Sequence, residues 1–269
     1  MLSRTLTTAA TKSYPSISLT DPFTRTSLAK IKQALAENAA NFTQGTTALR
    51  RGELHAAVLV PFCNVDNVPG VLLEVRGKLR THSGEVSFPG GRVDEIDSSF
   101  LAAALREAHE EVGIHPNQVE VLGPFGPTEK SLKGLRVWPY VGFVYPSGHS
   151  LQSCITQQDI DIDTDADTNV PLPSISLNSL VISQPEVATI FHLPLTELVS
   201  PLRLKSDFFR DGHLYWSIDV SDLVPPTIAL ASDPIAQPNI DGNRNGRLEV
   251  WGLTGWYLFV LMKMLRVYQ

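Results

Sequence analysis

Apolar residues at Leu28, Ile31 and Leu35 recur at helical spacing within "SLAKIKQALAENAANF", and Ser27 ahead of them suits a cap, so an amphipathic helix is expected there. "HAAVLVPFCNV" and "GVLLEVRG" are short apolar runs separated by Asp66, Asn67, Pro69 and Gly70, which predicts two strands joined by a turn. A second helix is expected from about Ser98 to Val112, with Leu101, Ala104, Leu105, Ala108 and Val112 on its apolar face and Gly113 stopping it. "QVEVLGPF" and "LRVWPYVGFVY" read as strands rich in Val and aromatics. "PEVATIFHLPLTELV" predicts a strand running into a short helix, and "DFFRDGHLYWSIDV" a hairpin turning at Asp211-Gly212. "LEVWGLTGWYLFVLMKML" predicts a C-terminal helix. Strands alternating with two or three helices place the chain in the α/β (α+β) class, with a mixed β-sheet sandwiched between α-helices.

Two stretches lack this order. Between Gly148 and Leu180 the text "HSLQSCITQQDIDIDTDADTNVPLPSISLN" has little periodicity, and it reads as a mobile acidic insertion. Its alternating acids Asp159, Asp161, Asp163, Asp165 and Asp167 lack the turn glycine and closing glutamate of a calcium loop, so a solvated loop is expected. The opening "MLSRTLTTAATKSYPS" carries Arg4 and Lys12 and no acid before Asp21, which suits either a mitochondrial presequence or a disordered tail. The last residues, Val267-Tyr268-Gln269, are not an S-K-L type address, although a peroxisomal location by another route stays open. The expected organisation is therefore a tail over 1–20, a helical extension over 21–50, and a main domain over 51–269.

Composition narrows the function classes. With 43% hydrophobic and 19% charged residues the chain is an ordinary globular one, and a net charge of -6 argues against binding nucleic acid through bulk electrostatics. An anionic small molecule must then be bound locally. Cys63 and Cys154 match neither a disulfide framework nor a zinc spacing, and neither is expected to act as a nucleophile. The run Trp256 to Met262 is too short to span a bilayer and reads as a buried helix. Monomer and homodimer are both compatible with the sequence.

The chemistry is concentrated in "SFPGGRVDEIDSSFLAAALREAHEEVGI". At about 100° per residue, Glu107, Glu110 and Glu111 project from one helical face, where like charges repel. Arg106 can neutralise at most one of them, whereas a hard divalent cation such as Mg²⁺ or Mn²⁺ would draw all three together. Pro89-Gly90-Gly91 supplies a turn free of side chains just ahead, where backbone groups can approach a phosphate or a metal.

Gly91, Asp97 and the run Arg106-Glu107-Ala108-His109-Glu110-Glu111-Val112-Gly113-Ile114 closely resemble the Nudix box, G-x5-E-x7-R-E-U-x-E-E-x-G-U with U apolar. Asp97 replaces the first glutamate, and one extra residue precedes Arg106. Both departures resemble the coenzyme A diphosphatase branch of that family, as does "LLEVRGKLRTHSGEVSFPGG", with Glu74 standing where that branch has Thr. Elements at Val137, Pro185 and Trp251 extend the likeness over roughly 54–266, outside the insertion, and the whole resembles a fungal-type member of the branch.

The resemblance implies a Nudix fold and metal-dependent hydrolysis of a nucleoside-linked diphosphate. It implies Glu107, Glu110, Glu111 and the Gly91 carbonyl as metal ligands, and Arg106 as the organiser of a box carboxylate. Either Glu111 or Glu186 activates the water. For coenzyme A, Arg76, Lys78 and Arg80, with Gly90 and Gly91, are the expected substrate-binding residues. Lys130, Lys133 and Arg136 are expected in a solvated loop and His109 on the surface, while Trp251, Trp256 and Phe259 should pack the C-terminal helix. The competing readings are a diphosphatase for NADH or ADP-ribose with a different pocket, and an inactive nucleotide-binding module.

Overall fold

Burial alternates along β1 (His55–Val65): Ala57, Leu59 and Cys63 face one hydrophobic cluster, Val60 and Phe62 the other. Such a strand belongs in the middle of a sheet covered on both faces. The computed structural model describes residues 15–39, 52–77, 84–149, 169–184, 186–224, 243–244 and 247–268. In it, β1 pairs antiparallel with β2 (Val68–Arg76) and parallel with β7 (Arg136–Val144). Asp66 and Asn67, both at positive φ, make the connection to β2. Pro69 and Gly70, expected in that turn, instead lie within β2.

The same sheet holds β3 (Val86–Ser87) and β8 (Val187–Pro194) against β2, and β4 (Gly90–Arg92) against the start of β1. On the other side, β5 (Val119–Pro124) and β6 (Glu129–Lys130) pair with β7. One parallel pair among antiparallel ones makes the sheet mixed, as its pattern predicted.

Helix α1 (Arg25–Glu37) begins earlier than Ser27: Thr24 is the cap, and Ser27 closes a capping box with it from inside the first turn. Helix α2 (Phe100–Val112) is capped by the Ser99 hydroxyl and stopped by left-handed Gly113. Helix α3 (Gly252–Met264) starts later than the apolar run does, because "LEV" pairs as a strand. That strand, β12 (Arg247–Val250), belongs with β9 (Leu204–Phe209), β10 (His213–Asp219) and β11 (Asn243–Arg244) in a second sheet. The predicted hairpin thus forms β9–β10 but does not join the first sheet. Ala103, Ala104, Ala108 and Val112 of α2 cover one face of the first sheet, while α1, α3 and the second sheet cover the other. Among the described residues no helix is long and apolar enough to cross a membrane.

Parts of the two segments expected to be loose are packed. Residues 1–14 lie outside the described residues, but Ile17 is buried and the Ser16 amide donates to the Leu265 carbonyl, so the tail's end is docked. Of the acidic insertion, 150–168, with Cys154 and the alternating acids, lie outside the described residues. From 169 onward the chain is packed: Leu172 and Ile175 are buried, and the side chain of buried Asn64 donates to the carbonyls of Phe23 and Leu172. Proline-rich text misled here because its apolar residues dock individually and without period.

Candidate active site

Ser99 and Gly113 fix both ends of α2, and its alanine face fixes its rotation, so the three box glutamates occupy a graded environment. Their side chains are 54% exposed at Glu110, 17% at Glu107 and 7% at Glu111. The three glutamates, expected on one helical face apart from the apolar one, are divided: Glu111 lies on the buried side with Ala108 and Val112, while Leu101 and Leu105, expected on the apolar face, are only half-buried. Burial raises the proton affinity of Glu111 and Glu107, opposed at Glu111 by the Gly90 amide, which donates to Oε2 at 2.8 Å.

Arg106 does more than neutralise one acid. Its Nε and Nη2 donate to the two Asp97 oxygens at 2.9 Å each, and Nη1 lies 3.0 Å from both Glu107 and Glu110. Nη2 also reaches the Arg92 carbonyl at 3.1 Å, tying α2 to β4. These hydrogen bonds hold the Asp97 carboxyl below its usual range. The aspartate that departs from the family pattern thus anchors the arginine. With the side chains so held, no three His, Cys, Asp or Glu among the described residues converge as ready metal ligands.

β4 sits directly over these acids. Gly90 has φ +151°, a region L side chains avoid, and a Cβ there would strike the Ala57 carbonyl oxygen. A Cβ on Gly91 would lie 2.5 Å from the Glu107 carboxyl carbon. Gly90 thus lets β4 pack against β1, and Gly91 lets it pack against the Glu107 carboxylate.

A further acid joins the cluster. Glu74, in the middle of apolar β2, is fully buried, and burial together with the Glu111 charge raises its proton affinity strongly. Ser87 donates to its Oε1 at 2.8 Å, while Oε2 has no hydrogen-bond partner among the described residues. Arg76 stands between the two buried acids, 3.5 Å from Glu74 and 3.9 Å from Glu111. In the sequence Glu74 stands out only as a departure from a family pattern and as a lone charge inside "VLLEV".

The remaining expected residues are distributed as follows. Glu186 is exposed on the loop before β8; its carbonyl accepts from the Gly77 amide at 2.7 Å, and its charge is felt at Glu111. Lys78 and Arg80 lie outside the described residues. His109 is exposed, as expected. The trio Lys130, Lys133 and Arg136 is split rather than left in one solvated loop. Arg136 pairs with Glu53 at 2.9 Å and Lys130 reaches the same acid at 3.6 Å, whereas Lys133 faces a cleft. Trp256 stacks on Phe209 with ring centroids 4.8 Å apart, packing α3 as expected, but Trp251 lines the cleft. The buried Cys63 thiol is pushed up by desolvation, away from nucleophilic chemistry.

That cleft, of about 670 Å³, runs from Arg76 and Gly90-Gly91 to the start of α3 and the end of β9. Such a volume suits a ligand larger than a mononucleotide's phosphate group. Four of its lining side chains are cationic, Arg76, Arg92, Lys133 and Arg210, against one acid, Glu85. In a chain of net charge -6 this reversal of sign marks a place for an anion.

A NUDIX domain model matches residues 53–159. The chain is 38% identical to Nudix hydrolase NudL of Citrobacter koseri, described as uncharacterized, over 176 residues that cover 64% of this chain and 73% of that protein. It is 51% identical to NudL of Escherichia coli O1:K1 over 165 residues, 60% of this chain and 69% of that one. Among solved structures, the NUDIX domain of Shewanella oneidensis NrtR complexed with ADP ribose matches at 20% identity and TM-score 0.36, over 61% of this chain and 85% of that domain. With Arg106 and the three box glutamates on α2 and relatives of this identity and coverage, the chain belongs to the Nudix hydrolase family and acts on nucleoside diphosphate derivatives.

Proposed function

We propose that the protein hydrolyses the diphosphate bond of coenzyme A and its derivatives, giving 3′,5′-ADP and 4′-phosphopantetheine or its acylated form. The observation that carries this reading is a large cationic cleft that opens beside the box acids and is built partly from the element resembling the coenzyme A branch, Arg76 and Glu85 to Gly91.

The donor set fits a divalent cation. Among the described residues, the five carboxylates of Glu74, Asp97, Glu107, Glu110 and Glu111 pair only with the two guanidiniums of Arg76 and Arg106, an excess of acid. Burial raises the proton affinities of Glu107 and Glu111, and the buried Glu74 Oε2 has no hydrogen-bond partner among the described residues, so a cation placed here would favour the charged forms of these acids. Nudix hydrolases generally use such ions, and Glu107, Glu110, Glu111 and the Gly91 carbonyl would hold Mg²⁺ or Mn²⁺ here. When bound, the ion neutralises charge on the phosphate oxygens as the P–O bond breaks.

The chain's own residues do the rest. Arg106 fixes the positions of Glu107 and Glu110 through its anchor at Asp97. Gly90 and Gly91 line the cleft, so the diphosphate meets backbone there, and their lack of side chains lets that backbone pack against β1 and Glu107. Water attacks one phosphorus, the bridging oxygen leaves with the other phosphate, and the water's proton passes to a carboxylate. Glu111 suits that role by position, held under β4 by the Gly90 amide, whereas Glu186 is exposed on the loop before β8.

Purified protein incubated with coenzyme A and Mg²⁺ should yield both products by chromatography and mass spectrometry, none with EDTA, and at least about a hundredfold less from Glu110→Gln. Cleavage of NADH or ADP-ribose but not coenzyme A would refute the substrate and leave the family chemistry intact. Undiminished turnover by Glu110→Gln would refute the site.

A further inference from the structure

Lys133 and Arg92 differ from the other cations of the cleft. Arg76 is engaged by Glu74 and Glu111, and Arg210 by the Lys130 carbonyl and, at 3.9 Å, Glu129. Among the described residues, neither Lys133 nor Arg92 forms an ion pair through its side chain, although both line the cleft.

Their placement is set by the fold. Arg92 pairs with Ala56 from β4 on one side of β1, and Val137 of β7 pairs with the same Ala56 on the other. Lys133 lies in the turn that leads into β7. This turn is closed by the Ser131 amide on the Leu135 carbonyl, the Gly134 amide on the Ser131 carbonyl, and the Leu135 amide on the Ser131 hydroxyl. The two cations thus flank the start of β1, where Leu54 and Ala56 line the cleft. The box acids and Arg76 serve the bond being cleaved, so two uncompensated cations beside them answer to a further negative group on the same ligand.

We propose that Lys133 and Arg92 bind a phosphomonoester of the substrate distinct from the scissile diphosphate, selecting nucleoside diphosphate derivatives that carry a third phosphate. This deepens the coenzyme A reading, whose substrate bears such a group on its ribose, and assigns it to residues outside the Arg76–Arg80 element. An ammonium and a guanidinium together suit a phosphate dianion through charge-assisted hydrogen bonds.

The test is calorimetric titration of the full chain, in EDTA, with adenosine 3′,5′-bisphosphate and with adenosine 5′-monophosphate. The wild type should bind the bisphosphate about tenfold or more tightly. Lys133→Ala and Arg92→Ala should each shrink that preference, and Lys133→Arg should keep it. A wild-type preference below about twofold, or equal loss of affinity for both nucleotides in Lys133→Ala, overturns the proposal. Turnover of coenzyme A and its 3′-dephospho form, run in parallel, separates the two readings. A persisting bisphosphate preference without coenzyme A cleavage defeats only the substrate reading, and cleavage of both coenzymes without discrimination defeats only the third-phosphate site.

Discussion

Glu74 shows how much a single position can hold in reserve. A carboxyl enclosed by β2, Ser87 and a second buried acid takes a proton more readily in the folded protein than in the unfolded chain. Between the ordinary glutamate value of 4.5 and about 8, the folded state therefore binds more protons, and stability falls as pH rises. One such group contributes a slope of up to about 1.4 kcal/mol per pH unit. Glu74→Gln should flatten this slope, so that in EDTA its melting temperature exceeds the wild type's at pH 8 by more than at pH 5. Thermal denaturation at the two pH values checks it, and parallel pH profiles for the two proteins would contradict the burial argument. At the neighbouring acids, Glu111→Gln should abolish the acidic limb of the pH–rate profile along with most of kcat. Glu186→Gln should leave that limb in place, because Glu186 is exposed and held mainly through its backbone.

At the scale of elements, α2 works because its ends are fixed. Gly113 adopts φ +72°, and a Cβ there would lie 2.8 Å from the Val181 backbone nitrogen and oxygen. Gly113→Ala should cost about 1–2 kcal/mol from the left-handed backbone alone, with the collision added, and denaturant titration measures it. The segment displaced would include Ser183, whose amide donates to the Glu111 carbonyl, so kcat should fall with stability. Helix α1 is held by a comparable device: Arg25 and Lys32 meet Glu120 of β5 at 2.6 and 2.8 Å, and the Tyr145 hydroxyl donates to the same carboxylate. That network explains why an extension ahead of the main domain packs as part of it.

At the scale of the molecule, the catalytic acids lie on one side of β4 and the cleft is completed by residues from a different sheet. Binding of a divalent ion to the folded state alone should raise stability by about 2.7 kcal/mol at a concentration one hundred times its Kd. The accompanying rise in melting temperature with Mg²⁺ or Mn²⁺ should vanish with EDTA and in a Glu107→Gln/Glu110→Gln variant. A rise that survives those substitutions would place the ion elsewhere.

The local events were legible in the chain because each rests on a few neighbouring residues. Ser99 and Gly113 bound a helix by cap and left-handed turn, Asp66-Asn67 tolerate positive φ, and the spacing Glu107, Glu110, Glu111 announces an acidic helix surface whatever surrounds it. The helix and its box could therefore be read without coordinates. Long-range packing decided the rest, since burial and charge balance depend on residues far apart in sequence. Glu111 became a buried acid because β4 crosses above it; Glu74 became its neighbour because β2 and β4 pair along the same edge of β1; and the trio of cations was divided when Glu53 claimed Arg136 and Lys130 but left Lys133 to the cleft. Periodicity reports which face of a segment is apolar, but only the assembled sheets determine which charges meet and which remain without a partner.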